Sequence, residues 1–114
     1  MDWQIEYYTD IRGNEPVRSF IDAQPIDVQV AITHDIDLLR EFALDLRYPY
    51  VFKVGTTGMR ELRTRHASDY YRIFYFAFTG RKFVLLHGYL KKTRKTPKEE
   101  IKIAMKRLND YKQR

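Results

Sequence analysis

Arg72 stands inside an aromatic stretch, Tyr70-Tyr71-Arg72-Ile73-Phe74-Tyr75-Phe76. Strand alternation puts it on the same face as Tyr70, Phe74 and Phe76. A guanidinium keeps its charge in an interior, so Arg72 requires either a carboxylate partner, Glu61 or Asp69, or an anionic ligand. Arg63, Arg65 and His66 form a second cationic group at the end of the preceding strand, with Arg63 and Arg65 on the same side. Taken alone, these are ordinary residues for the surface of a strand end. The third group runs His87-Gly88-Tyr89-Leu90-Lys91-Lys92-Thr93-Arg94-Lys95-Thr96-Pro97. His87 and Tyr89 share one face of a strand that Lys91 continues, and Lys92, Arg94 and Lys95 follow in a loop. Four cations between Lys91 and Lys95 repel one another unless something anionic shares the site. The helix N-terminus beyond them adds amide donors and positive potential. A solvated basic loop is the plainer account of that run.

These groups bring several cations, up to two histidines and a tyrosine, without a carboxylate cluster. A divalent-metal nuclease needs several hard oxygen ligands, and the basic strands carry only Glu61 and Asp69. The chemistry they suit is metal-free and cofactor-free cleavage of a phosphodiester. In RNA the ribose 2′-hydroxyl can attack its own phosphate, so an enzyme need only move protons and stabilise charge. His87 or Tyr89 is able to exchange protons, and the arginines and lysines are able to hold the phosphorane. DNA lacks that hydroxyl and would not be cut this way.

Charge along the chain points to the same class of ligand. Residues 1–50 hold 4 Lys/Arg against 10 Asp/Glu, residues 51–80 hold 5 against 2, and residues 81–114 hold 12 against 3. A C-terminal third this basic, threaded with aromatics, has the composition of a surface that meets a polyanion. A length of 114 residues, 44% hydrophobic, suits one globular domain over 1–114. With no cysteine, disulfides, thiolate metal sites and cysteine nucleophiles are excluded. The acidic start, Met1-Asp2-Trp3-Gln4-Ile5-Glu6, has no signal-peptide core, and no apolar run approaches the ~18 residues of a membrane span. The expected location is the cytoplasm.

The elements that must position these residues are legible from period and punctuation. Trp3, Ile5 and Tyr7 alternate as a half-buried strand. A turn at Ile11-Arg12-Gly13-Asn14 leads to a short helix with Asn14 as N-cap and Pro16 in its first turn. Pro25 opens a longer helix, with Val28, Ile32, Ile36, Leu39, Ala43 and Leu46 inward and Asp27, Asp35, Asp37, Glu41 and Asp45 outward. Strands follow around the Gly55–Gly58 turn, from Tyr70 to Phe78, and from Phe83 to Leu90 after a hairpin turn at Thr79-Gly80-Arg81-Lys82. Thr96-Pro97-Lys98-Glu99 reads as a capped start to a final helix, whose stripe is Ile101, Ala104, Met105, Leu108 and Tyr111. The order β-α-α-β-β-β-α predicts an α+β fold on an antiparallel sheet.

The stretch from Arg60 to Tyr111 resembles the HigB branch of the RelE superfamily, the phage-derived Gp49-like toxins of type II toxin–antitoxin pairs. The residues that carry the resemblance are Glu61-Leu62-Arg63, Tyr71-Arg72-Ile73-Phe74-Tyr75, and Val84-Leu85-Leu86-His87 running through the basic loop to Thr96-Pro97, then Glu100-Ile101 and Ala104. Asn14-Glu15-Pro16-Val17 is also similar to this group. The resemblance implies a RelE-like fold and a metal-independent mRNA interferase that cuts translated messages, usually in the ribosomal A site. It further implies a cognate helix-turn-helix antitoxin and a toxin–antitoxin hetero-oligomer. Arg72 matches the family's phosphate-stabilising arginine. Lys92, or Lys91 in a register one residue earlier, matches the cation at the end of the last strand, and Arg63 lies in the basic strand. Met59 and Glu61 stand where better-studied RelE members place lysines, and extra residues, including Arg65 and His66, lie between Arg63 and Arg72. The proton carriers therefore do not transfer by position, and His87, Tyr89 and His66 remain candidates. A non-catalytic nucleic-acid-binding module and a basic subunit that docks an acidic protein are the alternatives.

Overall fold

The computed structural model describes residues 2–91 and 97–114. Strand β1 (Gln4–Tyr7) is followed by helices α1 (Pro16–Asp22) and α2 (Ile26–Phe42) and a short 3-10 turn at Ala43–Asp45. Strands β2 (Val51–Lys53), β3 (Arg60–His66), β4 (Asp69–Phe78) and β5 (Lys82–Lys91) come next, and helix α3 (Lys98–Lys112) closes the chain. The five strands form one sheet in the order β1-β5-β4-β3-β2. The expected α+β architecture is present, and β2 to β5 are the expected antiparallel strands. Two features go beyond the expectation. Val51–Lys53 is one of the strands expected around the Gly55–Gly58 turn, so four strands follow the helices where the predicted order counted three, and β1 lies parallel to β5, which makes the sheet mixed.

Each face of the sheet carries its own core. On one side Val28, Ile32, Ile36 and Leu39 of α2, with Val17 and Ile21 of α1, bury Leu62, Tyr71, Ile73, Tyr75, Phe83 and Leu85. On the other, Ala104 and Leu108 of α3, with Ile101, Met105 and Tyr111 beside them, cover Phe74, Phe76, Val84, Leu86 and Tyr89. The two sets alternate along β4, as strand geometry requires when both faces are covered by helices.

β5 breaks this alternation once. Phe74 of β4 pairs with His87 and Tyr75 pairs with Leu85, so Leu86 is an extra residue in a β-bulge. Val84 and Leu86 enter the α3-side core, and His87 lies on that side too, 6.4 Å from the Phe74 ring. Beyond the bulge, His87, Tyr89 and Lys91 oppose Phe74, Arg72 and Tyr70 on the α3 face. Gly88 faces the other way, toward α1. A Cβ there would stand 2.5 Å from Cδ2 of Phe20, so the close approach of that ring requires glycine.

Some local expectations are corrected. Asn14 does not cap α1. Its side-chain amide donates to the Asp10 carboxylate, and Glu15 precedes the helix without a side-chain cap bond. Asp35 is not on the exposed acidic face, since it is only 7% exposed. It lies three residues after Ile32 and four before Leu39, which is the buried stripe, with Nδ1 of His34 3.1 Å from its carboxylate. Ala43, at φ 51°, turns the chain out of α2, so Leu46 is buried from beyond the helix. The Thr96 cap lies outside the described residues, as do Lys92, Arg94 and Lys95.

Candidate functional site

The α3 face of the sheet is covered unevenly. Tyr111 packs on Phe76, and the α3 core extends across Phe74, but further along β4 Tyr70 is exposed. Arg72 lies between those two conditions, 6% exposed. Across the strand pair Arg63 of β3 is opposite Arg72, Glu61 is opposite Phe74, and Arg65 is opposite Tyr70. Alternation along β3 therefore sends Glu61, Arg63 and Arg65 to the face that carries Arg72.

Glu61 is the partner that Arg72 requires. Nη1 of Arg72 and Nε of Arg63 both donate to Oε1 of Glu61, each at 2.6 Å. Glu61 is 2% exposed, so one interior carboxylate orients two guanidiniums. Such charge-assisted bonds are short and directional, which fixes both cations before any ligand arrives. Arg63 also lies over the Phe52 ring, 3.4 Å from its centroid. Among the described residues Nε of Arg72 has no hydrogen-bond partner although it is buried. A shallow pocket of about 330 Å³ opens beside the pair, lined by Tyr48, Pro49, Phe52, Arg63, Tyr70 and Arg72.

From the β5 side, Lys91 opposes Tyr70 and Tyr89 opposes Arg72. Burial, and then the charges of Arg72 and Arg63, hold the Lys91 ammonium below the usual lysine range, and Glu61 opposes that shift. Arg63, Arg72 and Lys91 against Glu61 leave the site with an excess of two positive charges. Tyr89 is buried, its ring packed against Phe74 at 5.4 Å and beside His87 at 6.0 Å.

His87 is held by α3. Its Nε2 lies 2.8 Å from Oε2 of Glu100, and its Nδ1 lies 3.0 Å from Nη1 of Arg107, which also donates to the Leu86 carbonyl at 2.9 Å. Arg107 can only donate, so Nδ1 accepts and Nε2 carries the proton toward Glu100. Burial lowers the His87 pKa below the ordinary histidine value, and Arg107 adds to that, against the raising effect of Glu100. The imidazole is thereby fixed as a neutral ring between β5 and α3.

The sequence-derived candidates thus divide. Arg63, Arg72, Tyr89 and Lys91 converge, and Arg65 lies at the exposed margin, 5.8 Å from the Tyr70 ring. His87 shares the face but is engaged by Glu100 and Arg107. His66 points to the opposite face, where Nε2 lies 3.2 Å from the Asp27 carboxylate of α2. Sequence reasoning gave no functional role to Tyr48, Phe52, Arg107 or Glu100, although Glu100 stands in the family-like stretch. The last two carry no local signal, because their reach to His87 depends on how α3 docks. Among the described residues no three His, Asp or Glu side chains group as a metal site.

The sequence model of the phage-derived protein Gp49-like family (DUF891) matches residues 19–109. The chain belongs to this family. The matched span contains every element of the site, from the end of α1 to most of α3. The Gp49-like family is one of RelE/HigB-type toxins, and membership suggests toxin-like function. No curated protein matches the Gp49-like chain. No helix among its described residues is long and apolar enough to cross a membrane.

Proposed function

We propose that this chain is the toxin of a type II toxin–antitoxin pair and acts in the cytoplasm as a metal-independent endoribonuclease on ribosome-bound mRNA. The observation that carries the reading is the buried Arg72, aligned with Arg63 by one carboxylate and with no partner for its Nε among the described residues, beside an open pocket. In this reading Arg72 and Arg63 hold the scissile phosphate, and their fixed charge stabilises the phosphorane as it forms. The 2′-hydroxyl attacks the phosphorus, the bond to the 5′-oxygen breaks, and the products are a cyclic phosphate and a 5′-hydroxyl. One proton leaves the 2′-oxygen and one reaches the 5′-oxygen.

Lys91 is the favoured proton carrier, because a lysine held below its usual range exchanges protons more readily near neutral pH. Tyr89, across from Arg72, is the second candidate. Lys92, Arg94, Lys95 and Arg65 are assigned to the RNA backbone. His87 is assigned to positioning, since both ring nitrogens are engaged by α3. A helix-turn-helix antitoxin is the proposed partner, forming a hetero-oligomer that covers the basic face.

The test is inducible expression beside Arg72→Ala, with message ends mapped by primer extension within minutes. New ends inside translated codons, absent in a folded Arg72→Ala protein and when translation is blocked, support the reading. Full cleavage by folded Arg72→Ala protein removes the catalytic assignment. RNA binding that weakens steeply with salt, without any new ends, replaces it with a non-catalytic module.

A further inference from the structure

The pocket beside the arginine pair has two kinds of wall. Arg63 and Arg72 supply charge, and Tyr48, Pro49, Phe52 and Tyr70 supply flat, largely apolar surface. Its volume of about 330 Å³ is at the low end of the roughly 300–1,000 Å³ of small-molecule sites and is ample for one planar heterocycle. Tyr48 is 80% exposed. It meets Phe52 in a T-shaped contact, with ring centroids 5.6 Å apart at 78°, so at least one face of Tyr48 stays clear of that ring. The Phe52 ring is already occupied by the Arg63 guanidinium at 3.4 Å. Tyr70, also exposed, has the guanidinium carbons of Arg65 and Arg72 each 5.8 Å from its ring. A single exposed aromatic needs no explanation, but two exposed rings beside a buried guanidinium whose Nε has no partner among the described residues do.

We infer that this pocket holds one unstacked base of a single-stranded RNA, with Tyr48 as the stacking platform, while the adjoining phosphate lies on Arg63 and Arg72. The inference rests on the proposed RNA reading and deepens it by adding a recognition element that does not depend on charge. Aromatic faces accept any base, so the pocket contributes affinity and register and not a strict base identity. Backbone contacts to the cations alone would fix neither which nucleotide enters the site nor which bond is presented.

The experiment compares two fluorescein-labelled hexamers, both 2′-O-methylated so that neither can be cut by 2′-hydroxyl attack. One carries six uracils and the other is abasic throughout. Anisotropy titrations at several salt concentrations use the wild-type chain, Tyr48→Ala, Tyr48→Phe and Arg72→Ala. Stacking of one base predicts that the wild type binds the uracil hexamer about ten-fold more tightly than the abasic one. Tyr48→Ala then loses that advantage with an unchanged salt slope, and Tyr48→Phe keeps it. Equal wild-type affinity for the two hexamers, including binding of neither, overturns the inference. So does a Tyr48→Ala protein that weakens both in the same proportion. Tyr48 is on the surface, so its variants fold. Arg72→Ala reports separately, because loss of a phosphate contact weakens both hexamers alike. If Arg72→Ala leaves binding unchanged while the Tyr48 difference stands, the phosphate assignment fails and the base pocket survives.

Discussion

Removing Glu61 will cost more stability than removing Arg72, although the two share one hydrogen bond. The asymmetry comes from the second arginine. In Arg72→Ala, Oε1 of Glu61 still accepts from Nε of Arg63 at 2.6 Å, so the carboxylate keeps a charged partner. What is lost is one charge-assisted hydrogen bond, about 1.5–3 kcal/mol. In Glu61→Ala, Arg72 remains 6% exposed with its described carboxylate gone, and Arg63 loses the same partner. Breaking a buried pair in that direction costs about 3–5 kcal/mol. Taking an m-value of about 2 kcal/mol/M in urea, the midpoints fall by roughly 1 M for Arg72→Ala and roughly 2 M for Glu61→Ala. Adding Arg72→Met to Glu61→Ala removes the stranded charge at similar volume and should recover at least about 1 kcal/mol. Urea denaturation followed by the far-UV signal measures all three. Equal costs for the two single variants, or a double variant whose loss is the sum of the singles, would refute the shared-carboxylate account.

Gly88→Ala places a methyl 2.5 Å from Cδ2 of Phe20 and should destabilise by about 1–3 kcal/mol, and Phe20→Leu in the same chain should relieve most of the added loss. A double-mutant cycle by chemical denaturation checks this. For His87 the folded pKa lies below the ordinary value of 6.5, so in the window between them the unfolded chain binds more protons than the folded one. Stability should therefore fall as pH drops from 6.5 through the folded pKa, and denaturation at pH 7.5 and pH 5.5 should show a smaller fall in His87→Gln. Lys91 is lowered first by burial and then by Arg72 and Arg63, so removing the Arg72 charge should move its titration upward. The Lys91 side-chain NMR signal, followed against pH in wild type and Arg72→Ala, decides this, and an unchanged titration contradicts the electrostatic coupling.

The parts of the fold set by local pattern were legible. Alternation along Tyr70–Phe78 placed Arg72 with Phe74 and Phe76, and the same rule aligned Arg63 with Arg65. Spacing also marked Asp35 as interior, since it falls on the stripe of Val28, Ile32 and Leu39, but its charge argued for solvent. There residue type misled where position did not. Long-range facts had no local signature. Nothing in Gln4–Tyr7 indicates that it will lie parallel to Lys82–Leu85. The same holds for the Glu100 and Arg107 contacts of His87, which depend on the angle of α3 over the sheet. His66 was grouped with Arg63 and Arg65 by nearness in sequence, yet its parity along β3 matches Leu62 and Thr64, and it turns to Asp27.

The extra residue at Leu86 gives β5 a property akin to a reading frame. Upstream of it, even-numbered side chains face α3, and downstream of it the odd-numbered ones do. Substitutions within the strand preserve that phase, whereas a single-residue insertion or deletion downstream of the bulge resets it for everything that follows. Loss of Leu86 alone would remove the extra residue, restore an uninterrupted ladder and leave His87, Tyr89 and Lys91 opposite Phe74, Arg72 and Tyr70, whereas loss of Gly88 with the bulge kept would turn Tyr89 and Lys91 toward Phe20 and α1. Lineages carrying this site should therefore hold the length of β5 beyond the bulge constant, and a change of length there would mark copies that have kept the fold and lost the cationic face.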